Sequence, residues 1–281
     1  YLDRVNVNTF SHCGNVNQNN NNITIGKMYQ DYHFNGKIDG PKIYNHVLND
    51  FELSLLKNDK LNKNFVDNLV ASWDFSQEIS SSKIIDSSKN KLHGLLFNMP
   101  IRAVTGHNWS GDEINFNYVK NEYGAIYFHD DDLDDACWDV DFEFTVPNNL
   151  PSGVYAAKLT VDNADDHIPF FVCPKKGTSN HKIAVLVPTL TYIAYANEHH
   201  LAKPETQPIM DFQGGKFTFP VANTDKYAVA HQLSGLYDTH SDNSGVCYSS
   251  RLRPITNLRP KYYDPILSDG QGSPCGLCAD L

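Results

Sequence analysis

The segment from His129 to Asp135 holds a dense group of potential metal ligands, with one histidine and five aspartates within seven residues. Carboxylate oxygens at short spacing suit a hard cation such as Ca²⁺. The spacing does not match an EF-hand loop, which requires a glycine at its turn and a glutamate at position twelve. We therefore interpret the segment as a solvated acidic loop, and a metal site there stays an open alternative.

Familiar hydrolase motifs are missing from the sequence. It contains neither a G-x-S-x-G nucleophile elbow nor an H-E-x-x-H zinc motif. Glu198-His199-His200 has the wrong spacing for a zinc protease, and adjacent histidines on one segment point to different sides. Cys275 and Cys278 form a C-x-x-C pair without a second pair, so a loop is favoured over a zinc site.

Two tyrosines occupy distinctive positions in the last part of the chain. Tyr195 lies in the run T-L-T-Y-I-A-Y-A-N, and Tyr237 lies in S-G-L-Y-D, ahead of a loop rich in glycine and serine. By residue type alone, each is more typical of a packed aromatic than of a functional group. The residues themselves therefore assign neither tyrosine a role.

Composition limits the classes of protein to consider. The chain has 281 residues, 41% of them hydrophobic, with 23 basic residues against 33 acidic ones and a net charge of −10. This apolar share supports folded cores, and no window approaches the roughly 20 apolar residues of a membrane span. The acidic balance without clustered basic residues excludes a nucleic-acid surface. Six scattered cysteines favour reduced thiols and a cytoplasmic location.

Residues 1–68 predict a β-rich unit. Short alternating runs at 23–25 and 32–45 are separated by glycine and asparagine, and Asn49 offers an N-cap for a short helix. The order F-x-G-x-I-D-G-x-x-I-Y-N resembles the last strands of a laminin-G or concanavalin-like jelly roll. Because the earlier strands of such a domain would precede residue 1, we expect the chain to be an internal fragment of a longer protein.

Residues 69–176 predict a β-sandwich of the immunoglobulin-like type, and residues 177–281 the start of an α/β catalytic domain. The predicted sandwich strands lie at 71–75, 93–97, 142–147, 153–159 and 168–172. The continuous apolar run at 182–187 predicts a central strand of a parallel sheet, with a ligand site beyond its carboxyl end. The fold class is therefore multi-domain: a β jelly-roll remnant and a β-sandwich, followed by a truncated α/β domain.

Several motifs in one order resemble the large (β) subunit family of N,N-dimethylformamidase. The similarity extends over nearly the whole chain. The motifs are T-G-H-N-W from Thr105, E-Y-G-A-I-Y-F-H-D-D-D-L-D-D from Glu122, S-G-V-Y-A from Ser152, I-P-F-F-V from Ile168 and P-T-x-T-Y-x-A-Y-x-N from Pro188.

This resemblance implies an amidohydrolase with a mononuclear Fe(III) ion that splits dimethylformamide to formate and dimethylamine. In the family, two tyrosines and one glutamate hold the iron. The motifs place the tyrosines at Tyr195 and Tyr237, with Tyr192 as an alternative to Tyr195, and place the glutamate beyond Leu281. The resemblance also implies a small α subunit and further assembly into a hetero-oligomer. The general base is not assigned.

The chemistry of iron agrees with such a ligand set. Fe(III) is a hard ion that prefers anionic oxygen, and it stabilises the deprotonated form of a phenol whose ordinary pKa is about 10. A Lewis-acid metal polarises a bound amide carbonyl or activates a bound water. A competing interpretation, based on residues 1–174 alone, is a non-catalytic module that binds a carbohydrate or another surface.

Overall fold

A computed structural model describes residues 22–28, 32–57, 63–178, 181–199, 210–212, 215–217, 221 and 223–259. Contacts divide the chain into two compact units, Tyr1–Asp130 and Asp131–Leu281. None of the helices in the described ranges has the length and apolar character needed to cross a membrane.

The first unit consists mainly of short antiparallel strands. Its strands are β1 (Lys27–Met28), β2 (Tyr32–His33), β3 (Gly36–Asp39), β4 (Lys42–Tyr44), β5 (Leu69–Asp74), β6 (Lys83–Asp86), β7 (Gly94–Leu95), β8 (Ile101–Val104) and β9 (Ala125–Phe128). Its helices are α1 (Asp50–Lys57), α2 (Lys63–Asn68) and a 3₁₀ turn at Lys120–Tyr123. The strands form sheets in the orders β1-β2, β4-β5-β6-β7 and β3-β9-β8.

One apolar core includes residues from the two larger sheets. Its buried members are Ala71, Trp73, Phe75, Ile84 and Ile126. Three of them alternate along β5 and the residue after it, which is the period-two pattern of a strand with one buried face. β4 and β5 lie on either side of residue 68 and pair with each other, so one sheet includes strands from both sides of that position. The predicted domain boundaries at 68 and 176 stay predictions.

The Asp86 carboxylate organises the turn between β6 and β7. It accepts hydrogen bonds from the backbone N–H groups of Ser72 (2.9 Å), Ser88 (2.8 Å) and Leu92 (2.7 Å), and from the Ser88 hydroxyl (2.7 Å). Burial raises the pKa of Asp86, but these hydrogen bonds outweigh it, and the pKa falls from 3.8 to about 2. The buried carboxylate is therefore held in its charged form.

The predicted N-cap at Asn49 is confirmed as a reciprocal capping box. The Asn49 side-chain oxygen accepts the backbone N–H of Glu52 at 2.9 Å, and the Glu52 carboxylate accepts the backbone N–H of Asn49 at 2.8 Å. Two donors that a helix start leaves without an intrahelical partner are satisfied in this way. The local sequence is therefore sufficient to predict where α1 begins.

The second unit contains a long hairpin, two short strands and two short helices. Its elements are β10 (Gly153–Val161), β11 (Ala164–Val172), α3 (Thr189–Ala194), β12 (Met210–Phe212), β13 (Gly215–Phe217) and α4 (Asn223–Ala230). β10 and β11 pair from Gly153 opposite Val172 to Val161 opposite Ala164. The two-residue turn begins at Asp162, whose positive φ of 50° is typical of such tight hairpins.

The β-rich character of the chain is confirmed, but three predicted strands are wrong. Residues 182–187, 142–147 and 23–25 contain no strand. Alternating or continuous apolar residues form a strand only where a neighbouring strand accepts and donates the backbone hydrogen bonds. Within the described residues none pairs with 182–187, and Ile183, Val185 and Leu186 are 82%, 66% and 95% exposed. The jelly-roll and immunoglobulin-like assignments stay predictions.

Candidate functional site, a pair of stacked tyrosines

Tyr195 directly follows the short helix α3. Its backbone N–H donates to the carbonyl oxygen of Thr191 at 3.0 Å, which completes the last helical turn. Asn197 has a φ of 62°, in the left-handed region that ends a helix and that asparagine tolerates better than most residues. The helix therefore ends at Ala194, with Tyr195 as its C-cap, and Tyr195 is 45% exposed.

Tyr237 lies in a tight turn that approaches the end of α3. The Leu236 N–H donates to the carbonyl oxygen of Ala194 at 2.9 Å. A Cβ atom at Gly235 would lie 2.9 Å from the carbonyl oxygen of Ala196 and 3.1 Å from the backbone nitrogen of Glu198. Both neighbours are backbone atoms, so a larger residue at 235 would force the two segments apart. Glycine is what permits this approach.

The approach brings the two predicted iron ligands together. The rings of Tyr195 and Tyr237 stack with centroids 4.4 Å apart and an angle of 25° between their planes. The hydrogen bond that the Tyr195 hydroxyl donates to Tyr237 raises the pKa of Tyr195, as do the negative charge of an ionised Tyr237, burial and the charge of Glu198. Tyr237, like Tyr195, is about half exposed. Two adjacent phenol oxygens are a donor pair that suits a hard trivalent cation.

Tyr192, the alternative ligand, lies in a different environment. It is 4% exposed and packs with Phe171, Val187 and Leu258 in a buried apolar cluster. Its ring stacks on that of Phe171 with centroids 6.4 Å apart. The structure therefore brings Tyr195 to Tyr237 and places Tyr192 in the core of the unit.

The buried Asp238 carboxylate joins the two segments that carry the tyrosines. It accepts the backbone N–H of Gly235 at 2.7 Å and the backbone N–H of His199 at 3.1 Å. His199 Nδ1 donates to the Asn197 carbonyl oxygen at 2.7 Å and lies 3.4 Å from Asp238 Oδ2. The spacing of Glu198, His199 and His200 argues against a zinc site, and the structure places His199 in a buried hydrogen-bond network.

The Asn197 side chain fixes a third segment, residues 254–257. Its amide nitrogen donates to the Pro254 carbonyl oxygen at 2.7 Å, and its amide oxygen accepts the Thr256 N–H at 2.7 Å. Asn257 in return accepts the Asn197 N–H at 2.9 Å and donates to the Tyr195 carbonyl oxygen at 2.6 Å. The motifs that contain Tyr195 and Tyr237 also contain Asn197 and Asp238, but residue type and spacing alone assign neither of them a role.

The acidic segment is partly buried and is not the solvated loop that we predicted. Asp131 Oδ1 lies 2.6 Å from His240 Nδ1, and its second oxygen accepts the Ser241 N–H at 3.1 Å. The Ala136 N–H donates to the Leu252 carbonyl oxygen at 2.9 Å. These contacts attach residues 131–136 to the loop of residues 239–252. The predicted C-x-x-C pair, Cys275 and Cys278, lies outside the described residues.

Fold and site together define a β-rich protein in whose second unit two half-exposed tyrosines from separate segments stack on each other. Residues 101–273 match the family described as N,N-dimethylformamidase beta subunit-like, C-terminal, and the chain belongs to this family. It is 40% identical over 265 residues to the N,N-dimethylformamidase beta subunits of Alcaligenes sp and Paracoccus aminophilus. These matches cover 91% of the chain and 33% of each relative, so the chain spans about a third of their length.

Proposed function

We propose that this chain is part of an amidohydrolase that hydrolyses a small N-substituted amide, such as dimethylformamide, to formate and dimethylamine. The proposal rests on family membership and on the names of the two relatives. The observation that carries the site assignment is the stacking of Tyr195 on Tyr237, which lie far apart in the sequence.

In this proposal Tyr195 and Tyr237 bind one Fe(III) ion through their phenol oxygens. Both tyrosines are about half exposed and their rings stack on each other, which supports a site that they share. The bound ion would supply Lewis-acid polarisation of the amide carbonyl, which resonance otherwise makes a poor electrophile. The chain itself supplies two negative oxygen donors and holds them adjacent, and we expect the third ligand, a glutamate, beyond Leu281.

The test uses the full-length protein. We expect it to bind iron and to show a tyrosinate-to-iron charge-transfer band, and we expect Tyr195→Phe and Tyr237→Phe to lose both. Tyr192→Phe is the matched control. It also removes a phenol hydroxyl group, but from a ring in the buried apolar cluster, three residues before Tyr195. If bound iron and the charge-transfer band survive in both Tyr195→Phe and Tyr237→Phe, the ligand assignment is refuted. If only Tyr192→Phe loses the iron and the band, Tyr192 is the favoured ligand.

The amide itself is tested by product analysis. We expect iron-loaded protein to release formate and dimethylamine from dimethylformamide in equal amounts, and iron-depleted protein to release neither. If the full-length protein binds no iron and cleaves no amide but retains a glycan on an array, the binding-module interpretation of residues 1–174 replaces this one.

We also propose that the protein assembles with a smaller α subunit into a hetero-oligomer. Both relatives are named beta subunits, which motivates this proposal. Purification of the native full-length protein, followed by size-exclusion chromatography, mass determination and identification of any co-purifying polypeptide, tests it. A full-length protein that is fully active as a single polypeptide would exclude the need for a second subunit.

A further inference from the structure

We propose that Asp238 is a positioning residue that fixes the distance between the Tyr195 and Tyr237 phenol groups. This inference deepens the proposed function and rests on it wherever iron is concerned. The stacking geometry itself is a property of the chain, and it can be measured without metal.

The position of Asp238 makes it the link between the two tyrosine segments. It directly follows Tyr237, and its two carboxylate oxygens accept one N–H group from each of the two segments that carry the tyrosines. Gly235, in the turn of Tyr237, donates to Oδ2 at 2.7 Å. His199, in the segment after Tyr195, donates to Oδ1 at 3.1 Å. One rigid carboxylate group therefore sets the separation of both segments.

Asp238 is poorly suited to be a metal ligand, although it adjoins one of the proposed ligands. Its side chain is fully buried, and both of its oxygens are engaged by backbone donors. A carboxylate in this state would have to give up these hydrogen bonds to reach an ion on the exposed side of the rings. The burial and the pairing of its oxygens therefore favour a role that acts through Tyr237.

Backbone packing makes the same linkage close and stiff. Gly235 allows its turn to approach the Ala196 carbonyl oxygen and the Glu198 nitrogen at distances that a side chain would not permit. The Leu236 N–H adds a hydrogen bond to the Ala194 carbonyl oxygen at 2.9 Å. With the carboxylate in place, contacts at Gly235, Leu236 and Asp238 together oppose small displacements of either segment. Loss of the carboxylate leaves buried N–H groups without an acceptor.

The test compares Asp238→Asn with Asp86→Asn in the full-length protein. Both positions hold fully buried carboxylates that accept backbone N–H groups, but Asp86 belongs to the β6–β7 turn of the first unit. The amide of asparagine has one acceptor oxygen, so each substitution removes part of a buried hydrogen-bond set. A merely structural role predicts the same behaviour for both variants.

The first readout is dityrosine formation in metal-free protein. A photo-excited ruthenium complex with persulfate oxidises tyrosines, and peptide mapping identifies the linked pair. We expect a Tyr195–Tyr237 product in the unmodified protein and an unchanged yield in Asp86→Asn. In Asp238→Asn we expect a yield about tenfold lower, because loss of one hydrogen bond to a charged group changes an equilibrium constant by about that factor. Unchanged yield in a folded Asp238→Asn protein would overturn the inference.

The second readout is the charge-transfer band of the iron-loaded protein. We expect Asp238→Asn to shift and weaken the band, and Asp86→Asn to leave it in place. Should Asp238→Asn fail to fold, Asp238→Glu provides the test, because it keeps the charge and moves both acceptors by one methylene group. An unshifted band and an unchanged cross-link in Asp238→Glu would then overturn the inference.

The two readouts separate this inference from the proposed function. If both tyrosine-to-phenylalanine variants retain iron while Asp238→Asn lowers the cross-link yield, the ligand assignment fails and the positioning role stands. If the tyrosine variants lose iron while Asp238→Asn leaves band and cross-link unchanged, the ligand assignment stands and the positioning role fails.

Discussion

Replacement of Asn197 by alanine is expected to destabilise the loop around the tyrosine pair more than any exposed substitution nearby. The change removes the hydrogen bonds to the Pro254 carbonyl oxygen and to the N–H and hydroxyl groups of Thr256. It also places alanine at a φ of 62°, where a Cβ atom is unfavourable. Because the Thr256 N–H is buried, it would be left without an acceptor.

The magnitude follows from these losses. An unpaired buried N–H costs about 1–3 kcal/mol, loss of a neutral hydrogen bond to a partly buried carbonyl about 1 kcal/mol, and the left-handed backbone about 1 kcal/mol. The sum is about 3–5 kcal/mol in the free energy of local opening. Each 1.4 kcal/mol is about a tenfold change in an equilibrium constant, so exchange of the Thr256 amide should accelerate at least about a hundredfold.

Hydrogen–deuterium exchange with peptide resolution measures this effect. Asn243→Ala is the matched control, since Asn243 is exposed and has a φ of 68°, so that its replacement tests the backbone contribution alone. Asn197→Gly removes the same side-chain hydrogen bonds but places no Cβ atom at the positive φ. Its destabilisation should therefore be about 1 kcal/mol smaller than that of Asn197→Ala. The reasoning would be refuted if exchange at residues 254–257 rose no more in Asn197→Ala than in Asn243→Ala.

Three further predictions concern other positions. Gly235→Ala should lower the yield of the Tyr195–Tyr237 cross-link, because the new Cβ meets backbone atoms; Gly245→Ala, where a Cβ meets nothing within 4 Å, should not. The folded-state pKa of Asp86 is depressed from 3.8 to about 2, so its contribution to stability is present above pH 4 and is lost as the pH falls towards 2. Acid unfolding monitored by circular dichroism should therefore lose part of its pH slope in Asp86→Asn, and an identical slope would contradict this. Asp131→Ala and Asp132→Ala should leave iron content unchanged by elemental analysis, whereas loss of iron from folded variants would make the acidic segment a metal site.

Short-range features of the fold were predictable from sequence. The asparagine and glutamate of the capping box lie three residues apart, and the predicted strands at 153–159 and 168–172 lie within β10 and β11. Such elements depend on neighbours within a few residues, so their side chains carry enough information to define them. The apolar run at 182–187 shows the limit of this reasoning, because hydrophobicity predicted a strand for which the described residues hold no pairing partner.

The candidate site was predictable in its residues but not in its contacts. The ordered motifs select Tyr195 and Tyr237, and no local pattern separates Tyr192 from Tyr195. That separation follows from burial, since one ring lies against Phe171 and the other against Tyr237. Packing against distant segments determines this difference, and a local pattern does not contain it.

The sequence by itself determined the family of the chain, its β-rich character and the supply of two phenol oxygens that suit a hard cation. Only the tertiary structure decided that these oxygens are neighbours. Their proximity depends on Gly235, where the absence of a side chain lets two backbone segments lie in contact. It also depends on the buried Asp238 carboxylate, which accepts N–H groups from both segments. A buried charge is stable only where its hydrogen bonds are complete, and residues remote in sequence supply those bonds once the chain has folded.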